Sequence, residues 1–461
     1  MSEAHTPFSP AADRPAEPPS GRDYARALRG NAIGIFPPQA FEEDVVFRRV
    51  FGRQQIIMSR PAGIQHILVD NPANYRRTAA GIRILRPLLG KGLLLSQGED
   101  WRQQRRTLAP AFAPRTMPIL ARHVAGAASA AAAHLKTAGA APVDLLAAMQ
   151  FLALEIAGAS MFSLEMERYG VELRGLIKGY AARLGRPSLL DFMLPPSVPS
   201  PRDVLRWHFR RRWLRLIGHI IAARREQGDA GAPRDLFDLM ASAADPESGA
   251  LFPPRRLADQ VATMIVAGHE TTAVALFWSL YLLAGAPAIQ NRLAAEVAGV
   301  DLGPDSAASA LPTLVYTRAV VQEAMRLYPP AFTLARQAIK DDLAGDIPVK
   351  AKTVVLIAPW VLHRHRRLWI EPETFDPGRF LPGSLPPDRF AYLPFGIGPR
   401  VCIGAQFALT EATLVLATLI QTFRIERADD TPVTPRAIVT TQPDHPPPFL
   451  LRPRSGGPPP L

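Results

Sequence analysis

One long apolar stretch, residues 253–287, constrains the fold of this chain more than any other feature. Bounded by Pro253 and Pro287, it predicts a single helix of roughly 35 residues, which would span about 50 Å. Its interior is apolar enough to suggest a transmembrane span. However, His269 and Glu270 lie at its centre, where a charged group inside a bilayer is costly. We therefore predict a core helix that crosses a large domain.

The centre of this helix has the sequence Ala267-Gly-His-Glu-Thr-Thr272. A glycine inside a helix costs about 1 kcal/mol, so Gly268 indicates that something lies close to the backbone. Thr271 shares its face and can donate a hydrogen bond to a backbone carbonyl or to a small polar ligand. Glu270 can supply protons through water. A zinc site is excluded because no second histidine follows His269 at the required spacing.

The only cysteine of the chain, Cys402, lies in the loop Phe395-Gly-Ile-Gly-Pro-Arg-Val-Cys-Ile-Gly404. A single cysteine forms neither an internal disulfide nor a multi-cysteine metal site. The helix predicted to begin near Gly404 and the cation of Arg400 both favour a thiolate. A reactive thiolate that binds a ligand is therefore one interpretation, and a small buried structural cysteine is the other.

Two further pairs of residues stand at helical spacing. Trp101 and Arg105 are four residues apart, so their N–H groups share one face of a helix, which suits binding to carboxylates. By themselves, however, Trp101 and Arg105 favour a solvated basic helix. Glu323 and Arg326 are three residues apart and can form an ion pair, which on a surface would contribute about 0.3–0.5 kcal/mol.

Residues 204–225 predict an amphipathic helix that is rich in arginine. Its apolar stripe is predicted to contain Trp207, Leu214, Ile217 and Ile221. A basic amphipathic helix either packs on a protein core with one solvated face or lies on a membrane surface. We favour the packed arrangement.

These separated patterns resemble, in the same order, those of the cytochrome P-450 superfamily. The cysteine loop matches every fixed position of its heme-binding pattern, F-x-x-G-x-R-x-C-x-G. The centre of the long helix resembles its oxygen-activation motif, and the two pairs resemble its W-x-x-x-R and E-x-x-R helices. The resemblance covers roughly residues 30–450. It implies the soluble bacterial type, mainly α with a smaller β region near the N-terminus, in a single large heme domain.

The resemblance also implies a role for each candidate residue. Cys402 would be the proximal ligand of the iron of heme b, Thr271 the alcohol of the oxygen site and Glu270 the acid that relays protons. The residues implied to contact the cofactor are Trp101, Arg105, Ala267, Gly268, Arg336, Phe395, Arg400 and Gly404. A structural triad of Glu323, Arg326 and Arg379 would brace the loop before the heme site. Gly378, where the family usually has glutamate, and His365-Arg366, where Asp-Pro is common, depart from the pattern.

Composition bears on partners and location. The formal net charge is +12, but no helix-turn-helix, zinc-finger or aromatic RNA-binding pattern accompanies it, so we expect no nucleic acid partner. Residues 1–20 and 453–461 are rich in proline and predict disordered tails on either side of a heme domain at 21–452. We expect no transmembrane anchor, a cytoplasmic location, which a single cysteine permits, and a monomer.

The implied reaction is a monooxygenation of a small apolar substrate by O2. Since no dinucleotide fingerprint or flavin domain is present, we expect an external ferredoxin- or flavodoxin-type donor with its reductase, docking near Arg102, Arg106 and Arg115. Substrate-lining residues are expected at 78–96, 185–203, 263–271 and 331–334. Three alternatives remain open: a peroxide-driven or isomerising heme-thiolate enzyme, a non-catalytic heme-thiolate sensor, and a basic helical binding protein without heme.

Overall fold

The computed structural model of the chain describes residues 21–164, 167–194, 198–228 and 233–454. The N-terminal tail expected at 1–20 lies outside these ranges, as do residues 455–461 of the expected C-terminal tail. Within the described residues the α-helices are α1 (Gly21–Gly30), α2 (Pro61–Gln65), α3 (Ala79–Leu89), α4 (Gly98–Leu108), α5 (Met117–Lys136), α6 (Leu145–Phe162), α7 (Glu167–Gly179), α8 (Leu189–Met193), α9 (Pro201–Glu226), α10 (Leu236–Ala241), α11 (Pro254–Ala284), α12 (Pro287–Val297), α13 (Ala307–Ala310), α14 (Val315–Leu327), α15 (Pro359–Leu362) and α16 (Ala405–Thr422).

The strands are short by comparison. They are β1 (Val45–Val50), β2 (Arg53–Met58), β3 (Tyr75–Arg77), β4 (Val143–Asp144), β5 (Leu334–Ala338), β6 (Asp342–Ala344), β7 (Ile347–Val349), β8 (Val354–Ile357), β9 (Phe423–Arg427), β10 (Pro435–Ala437), β11 (Thr441–Pro443) and β12 (Pro448–Pro453). The fold class predicted from the sequence, mainly α with a smaller β region, is confirmed.

The long helix expected at 253–287 is α11, which runs for 31 residues. Pro254 stands in its first turn, where the missing N–H costs no hydrogen bond, and the helix ends at Gly285. By length and composition alone, α6 and α11 could each cross a membrane, but 61% and 72% of their most apolar windows are buried inside the fold. Both pack together as core helices, which accounts for their apolar composition.

The two halves of α11 belong to different hydrophobic clusters. Its N-terminal half, through Ile265, packs with residues of α3, α6, α7, α9 and α10. Its C-terminal half, from Ala273, packs with residues of α5, α12, α14 and α16. The polar centre of the helix, 267–272, lies between the two clusters, and this is where the functional residues are expected.

The largest sheet has five strands in the order β1-β2-β8-β5-β3. Only the β2–β8 pairing is parallel. The antiparallel pairing of β3 with β5 places Arg77 directly opposite Arg336. This register brings two arginines from distant parts of the chain to one edge of the sheet. The other sheets are β4-β12-β9, β10-β11 and β6-β7.

The apolar stripe predicted for residues 204–225 is partly wrong. Trp207 is 55% exposed, whereas Trp213 is fully buried and donates from Nε1 to the carbonyl of Leu88 at 2.8 Å. The neighbouring Arg206 is buried instead of Trp207. Its Nη1 lies 2.6 Å from a carboxylate oxygen of Asp191 and 3.0 Å from one of Asp203, and these two carboxylates neutralise its charge. Apolarity alone therefore did not indicate which face of α9 packs inward.

Candidate functional site

A large internal cavity borders the polar centre of α11. Its volume is about 1040 Å³, at the upper end of the range for ligand pockets in proteins. Every residue proposed from the sequence as catalytic, cofactor-binding or iron-ligating lines this one cavity: Trp101, Arg105, Ala267, Gly268, Glu270, Thr271, Arg336, Phe395, Arg400, Cys402 and Gly404. Glu323, Arg326 and Arg379 do not line it.

The loop that carries Cys402 is held in a tight conformation. The N–H of Cys402 donates to the carbonyl of Phe395 at 2.9 Å, which closes the loop just before α16 begins at Ala405. Gly398 has φ of 76°, and a Cβ at this position would lie 2.1 Å from the carbonyl oxygen of Leu68. Only glycine therefore fits here, because any other side chain would push the loop away from its support.

The thiol of Cys402 is exposed, but it is exposed to the cavity rather than to the outer surface. Burial within the protein raises its pKa, while the N–H of Gly404 and the charge of Arg105 act in the opposite direction. The sequence suggested that Arg400 is the cation that acts on the sulfur, but in the structure the cation that lowers the pKa of Cys402 is Arg105. The thiolate is the form of cysteine that ligates a metal ion.

Ala267, Gly268 and Thr271 form the cavity wall on α11. The hydroxyl of Thr271 donates to the carbonyl of Ala267 at 2.6 Å, and α11 continues unbroken through this turn. A Cβ placed on Gly268 would meet no atom within 4 Å, so the glycine faces open space inside the cavity. This open space beside the backbone is what a flat cofactor with its distal ligand would need.

Glu270 is held by a residue from a distant strand. Its Oε1 accepts a very short hydrogen bond from Nε2 of Gln442, which belongs to β11. Burial raises the pKa of Glu270, and the bond from Gln442 opposes this shift. Nε2 of the neighbouring His269 donates to the carbonyl of Gln150 at 2.9 Å, and the pKa of His269 is lowered to about 4, chiefly by burial. Glu270 is thus the group of this pair suited to carry a proton.

Four arginines border the cavity at one edge, and we call Arg77, Arg105, Arg336 and Arg400 the cation cluster. Arg105 donates to the carbonyl of Val401 at 2.8 Å. Arg400 donates to the carbonyl of Ser96 at 3.0 Å, and its guanidinium stacks 4.4 Å from the ring centroid of Trp101. Arg336 is buried and donates only to the carbonyl of Ala335.

No carboxylate in the described part of the chain forms an ion pair with any member of the cation cluster. Nε of Arg77 is buried and has no hydrogen-bond partner. Burial, followed by repulsion from Arg336 and Arg400, lowers the pKa of Arg77 to about 9. Such a concentration of unpaired buried charge is unfavourable unless an anionic ligand binds it.

These residues fit heme. Its two propionates supply the carboxylates that the cation cluster lacks, its flat ring fits the apolar space beside Gly268, and a thiol faces the same cavity for the iron. Across the described ranges, no group of three or more His, Cys, Asp or Glu residues could hold a metal ion. Cys402 is therefore the metal ligand that this arrangement offers.

The structure brings Glu323, Arg326 and Arg379 together below the cavity. Arg326 makes two bonds to the Glu323 carboxylate, at 2.7 and 2.8 Å, and both side chains are fully buried. Its remaining N–H groups donate to the carbonyls of His363, Pro372 and Thr374.

Arg379 completes this triad. Its Nε lies 3.5 Å from the Glu323 carboxylate. The triad therefore ties α14 to the segment 363–379, which precedes the Cys402 loop. The structural role of the three residues stays a prediction, which the stability of Arg326 variants tests.

Sequence reasoning missed Arg77, Gln442 and Glu411. Glu411, on α16, lines the same cavity, and burial raises its pKa to about 8. None of the three belongs to a motif that the sequence analysis used. For Arg77, the only available signal was the short basic run of the Tyr75–Arg77 strand, which alone indicates a solvated edge.

Comparison with known proteins agrees with this geometry. The family model described as Cytochrome P-450 matches residues 40–448. Cyclooctatin synthase of Streptomyces melanosporofaciens is 32% identical over 404 residues, which covers 85% of each chain. Cyclooctat-9-en-7-ol 5-monooxygenase of the same organism is 33% identical and covers 74% of each chain. The chloroplastic protein LUTEIN DEFICIENT 5 of Arabidopsis thaliana is 31% identical and covers 90% of this chain and 73% of its own.

Proposed function

Because this chain belongs to the cytochrome P-450 family and is therefore a heme-thiolate monooxygenase, we propose that it inserts one oxygen atom from O2 into an apolar organic substrate with electrons from a separate redox partner. One observation carries this proposal. The thiol of Cys402, the hydroxyl of Thr271 and the cation cluster all border the same cavity.

The residues of the chain have distinct parts in this reaction. Cys402 would ligate the iron of heme b, and the cation cluster with Trp101 would hold the propionates. Heme bound in this way supplies the oxygen chemistry, which the thiolate promotes by donating electron density.

Proton delivery falls to the residues of α11. The Thr271 hydroxyl lies where it can hydrogen-bond a small ligand once it leaves the carbonyl of Ala267. Glu270 has a raised pKa and borders the same cavity, so it can pass a proton toward Thr271 through water. Gln442 holds the carboxylate in place, and we propose that it positions Glu270.

The lining of the cavity supports an apolar substrate. Ile84, Leu88, Leu89 and Leu93 line it from α3 and the following loop, together with Met161 of α6. The names of two relatives refer to cyclooctatin and cyclooctat-9-en-7-ol. We therefore propose a hydrocarbon skeleton of comparable bulk as the substrate.

We propose an external ferredoxin- or flavodoxin-type donor with its reductase, but with a revised docking surface. Arg102 pairs with Glu99 at 3.1 Å, and Arg106 pairs with Asp245 at 3.0 Å and with Glu247. These pairs neutralise two of the three arginines named from the sequence. Arg115 is exposed and remains the candidate for contact with an acidic donor. A cytoplasmic monomer is proposed on the single cysteine and the mostly buried apolar helices.

The carbon monoxide difference spectrum of the reduced protein tests the cofactor. A long-wavelength thiolate Soret band is expected in the wild type and is lost in Cys402→Ser. A wild-type spectrum without that band would contradict heme-thiolate binding.

Thr271→Ala tests the oxygen-site role. We expect several-fold less product per electron pair consumed, because the hydroxyl that assists proton delivery is missing. Thr271→Ser keeps the hydroxyl and should retain coupling. Unchanged coupling in Thr271→Ala would favour a peroxide-driven or isomerising enzyme. A complete absence of product with every surrogate donor and substrate would favour the sensor.

A further inference from the structure

The cavity lining contains four cations outside the cation cluster, namely Arg174, Lys178, Arg186 and Arg436, and two of them share one helix. Arg174 and Lys178 both line it from α7. They are four residues apart, so they project from one face of that helix. The cation cluster comes from β3, α4, β5 and the cysteine loop instead. The two positive regions therefore belong to different walls of the cavity.

Arg174 is half-buried and Lys178 is exposed. Among the described residues, no carboxylate forms an ion pair with Arg174 or Lys178. The guanidinium of Arg174 lies 5.1 Å from the ring centroid of Phe151, which holds it in place without neutralising its charge.

The carboxylates that border the cavity are engaged elsewhere. Asp144 accepts from the N–H of Ala147 at 2.9 Å and caps α6. Asp444 accepts from the N–H of Thr434 at 3.0 Å and from His445. Glu270 is held by Gln442. The other acidic residue in the lining, Glu411, has a pKa raised to about 8 by burial.

The charges of Arg174 and Lys178 both affect titratable groups at the centre of α11. Lys178 acts on Glu270, and Arg174 contributes, after burial, to the low pKa of His269. A ligand group near Arg174 and Lys178 is therefore connected to the same space as the oxygen site. The same cavity is also lined by the apolar side chains Leu146, Ala153, Ala157 and Val266. A ligand that satisfies both regions is an amphiphile.

We propose that the substrate is an acidic amphiphile whose anionic head group, a carboxylate or a phosphate ester, binds Arg174 and Lys178 while its hydrocarbon skeleton fills the apolar cavity. This inference rests on the proposed function and deepens it from an apolar substrate to an anionic one. Charge-assisted hydrogen bonds from a guanidinium and an ammonium to one anionic group would also fix the orientation of the skeleton in the cavity.

The test compares acids with alcohols on the same skeleton, bound to the heme-loaded full chain. The probes are abietic acid with abietinol, and geranylgeranyl monophosphate with geranylgeraniol. Dissociation constants are measured by the spin-state shift of the ferric heme and, independently, by calorimetry. The variants are Arg174→Gln, Lys178→Met and both together. Arg211→Gln is the matched control, because Arg211 is an exposed arginine of α9 that does not line the cavity.

We expect at least one anionic probe to bind the wild type about tenfold more tightly than its alcohol, a factor typical of charge-assisted contacts. Each single variant should reduce this preference, the double variant should abolish it, and the affinity for the alcohol should stay unchanged. The anionic probe that binds identifies carboxylate or phosphate as the preferred group.

The inference is overturned if no anionic probe binds more tightly than its alcohol, or if the preference survives in the double variant. It is also overturned if Arg211→Gln loses the preference equally, because that result would reflect the net charge of +12 rather than this site. The reduced carbon monoxide spectrum of each variant is recorded in parallel. A missing thiolate band would count against the proposed function, whereas a normal band with no acid preference would count against this inference alone.

Discussion

Two groups of buried arginines in this protein differ in one respect. In the triad, the charge of Arg326 meets the Glu323 carboxylate and three backbone carbonyls, so every N–H group is used. In the cation cluster, Arg77 and Arg336 form no ion pair with a carboxylate of the described segments, and burial lowers the pKa values of both. Both groups take charge out of water, but only the first contains its own counterion.

The difference separates a structural from a ligand-binding role. The charge of a buried cation whose counterion is part of the chain is compensated whether or not a ligand is bound, and only the loss of one partner is strongly destabilising. A buried cation without a counterion in the chain lowers the stability of the ligand-free protein. An anionic ligand that pairs with this cation therefore stabilises the folded state when it binds. The three predictions below test whether the two groups respond in these opposite ways.

The largest effect is expected at the triad. Arg326→Met leaves Glu323 buried without its main partner and should lower the free energy of unfolding by about 3–5 kcal/mol, with or without heme. Urea denaturation of both forms measures this. Glu323→Leu combined with Arg326→Met removes both charges and should lose less than Arg326→Met alone. An equal decrease in the free energy of unfolding of the two variants would show that lost packing, rather than an unpaired charge, causes the destabilisation.

A pH-dependent effect is expected at His363, which packs beside the triad. Its Nε2 accepts from the N–H of Leu393 at 2.8 Å, and burial, followed by repulsion from Arg326 and Arg364, lowers its pKa from 6.5 to about 3. Between these values the unfolded chain binds a proton that the native state does not. Stability should therefore fall as pH decreases below 6.5, by up to about 1.4 kcal/mol per pH unit.

Urea denaturation between pH 7 and pH 4 measures the contribution of His363. His363→Gln should show a shallower loss of stability than the wild type over this range. Replacing the exposed His208 by Gln provides the control and should leave the slope unchanged. If the slope for His363→Gln equals that of the wild type, the histidine accepts a proton in the native state and the triad tolerates added positive charge.

The smallest effect is expected at the cation cluster. Unlike the triad variant, a variant here should weaken heme binding without lowering the free energy of unfolding of the heme-free protein. Arg77→Gln should increase the rate of heme loss about tenfold, because one charge-assisted contact with a propionate is removed. The free energy of unfolding without heme should stay unchanged or rise. Heme transfer to apomyoglobin measures the rate. Arg76→Gln is the control, since the exposed Arg76 precedes Arg77 on β3. A loss of stability in heme-free Arg77→Gln would place Arg77 with the structural arginines.

Much of the fold and most of the site could be predicted from local sequence. The apolar run of α11 and its polar centre are features of one helix, and the loop from Phe395 to Gly404 is a contiguous motif with glycines where the backbone requires them. Local patterns of this kind depend on residues within a few positions of one another, and the same local physics governs them in any context. They placed Cys402 and Thr271 correctly on the wall of one cavity.

The remaining features depend on counterions and neighbours from distant segments. Arg77 joins the cation cluster because β3 pairs with β5, some 260 residues away in the chain. Arg206, rather than Trp207, faces the core because it forms ion pairs there with Asp191 and Asp203. Glu270 is held by Gln442, which no motif connects to α11.

The sequence by itself therefore determined the helical frame, the cysteine loop and most of the candidate residues that line the cavity, because each is specified by adjacent or helically spaced residues. Only the tertiary structure decided which buried charges are satisfied within the protein and which await a ligand. That distinction depends on the distance in space between a charge and its counterion, which cannot be inferred from their separation along the chain.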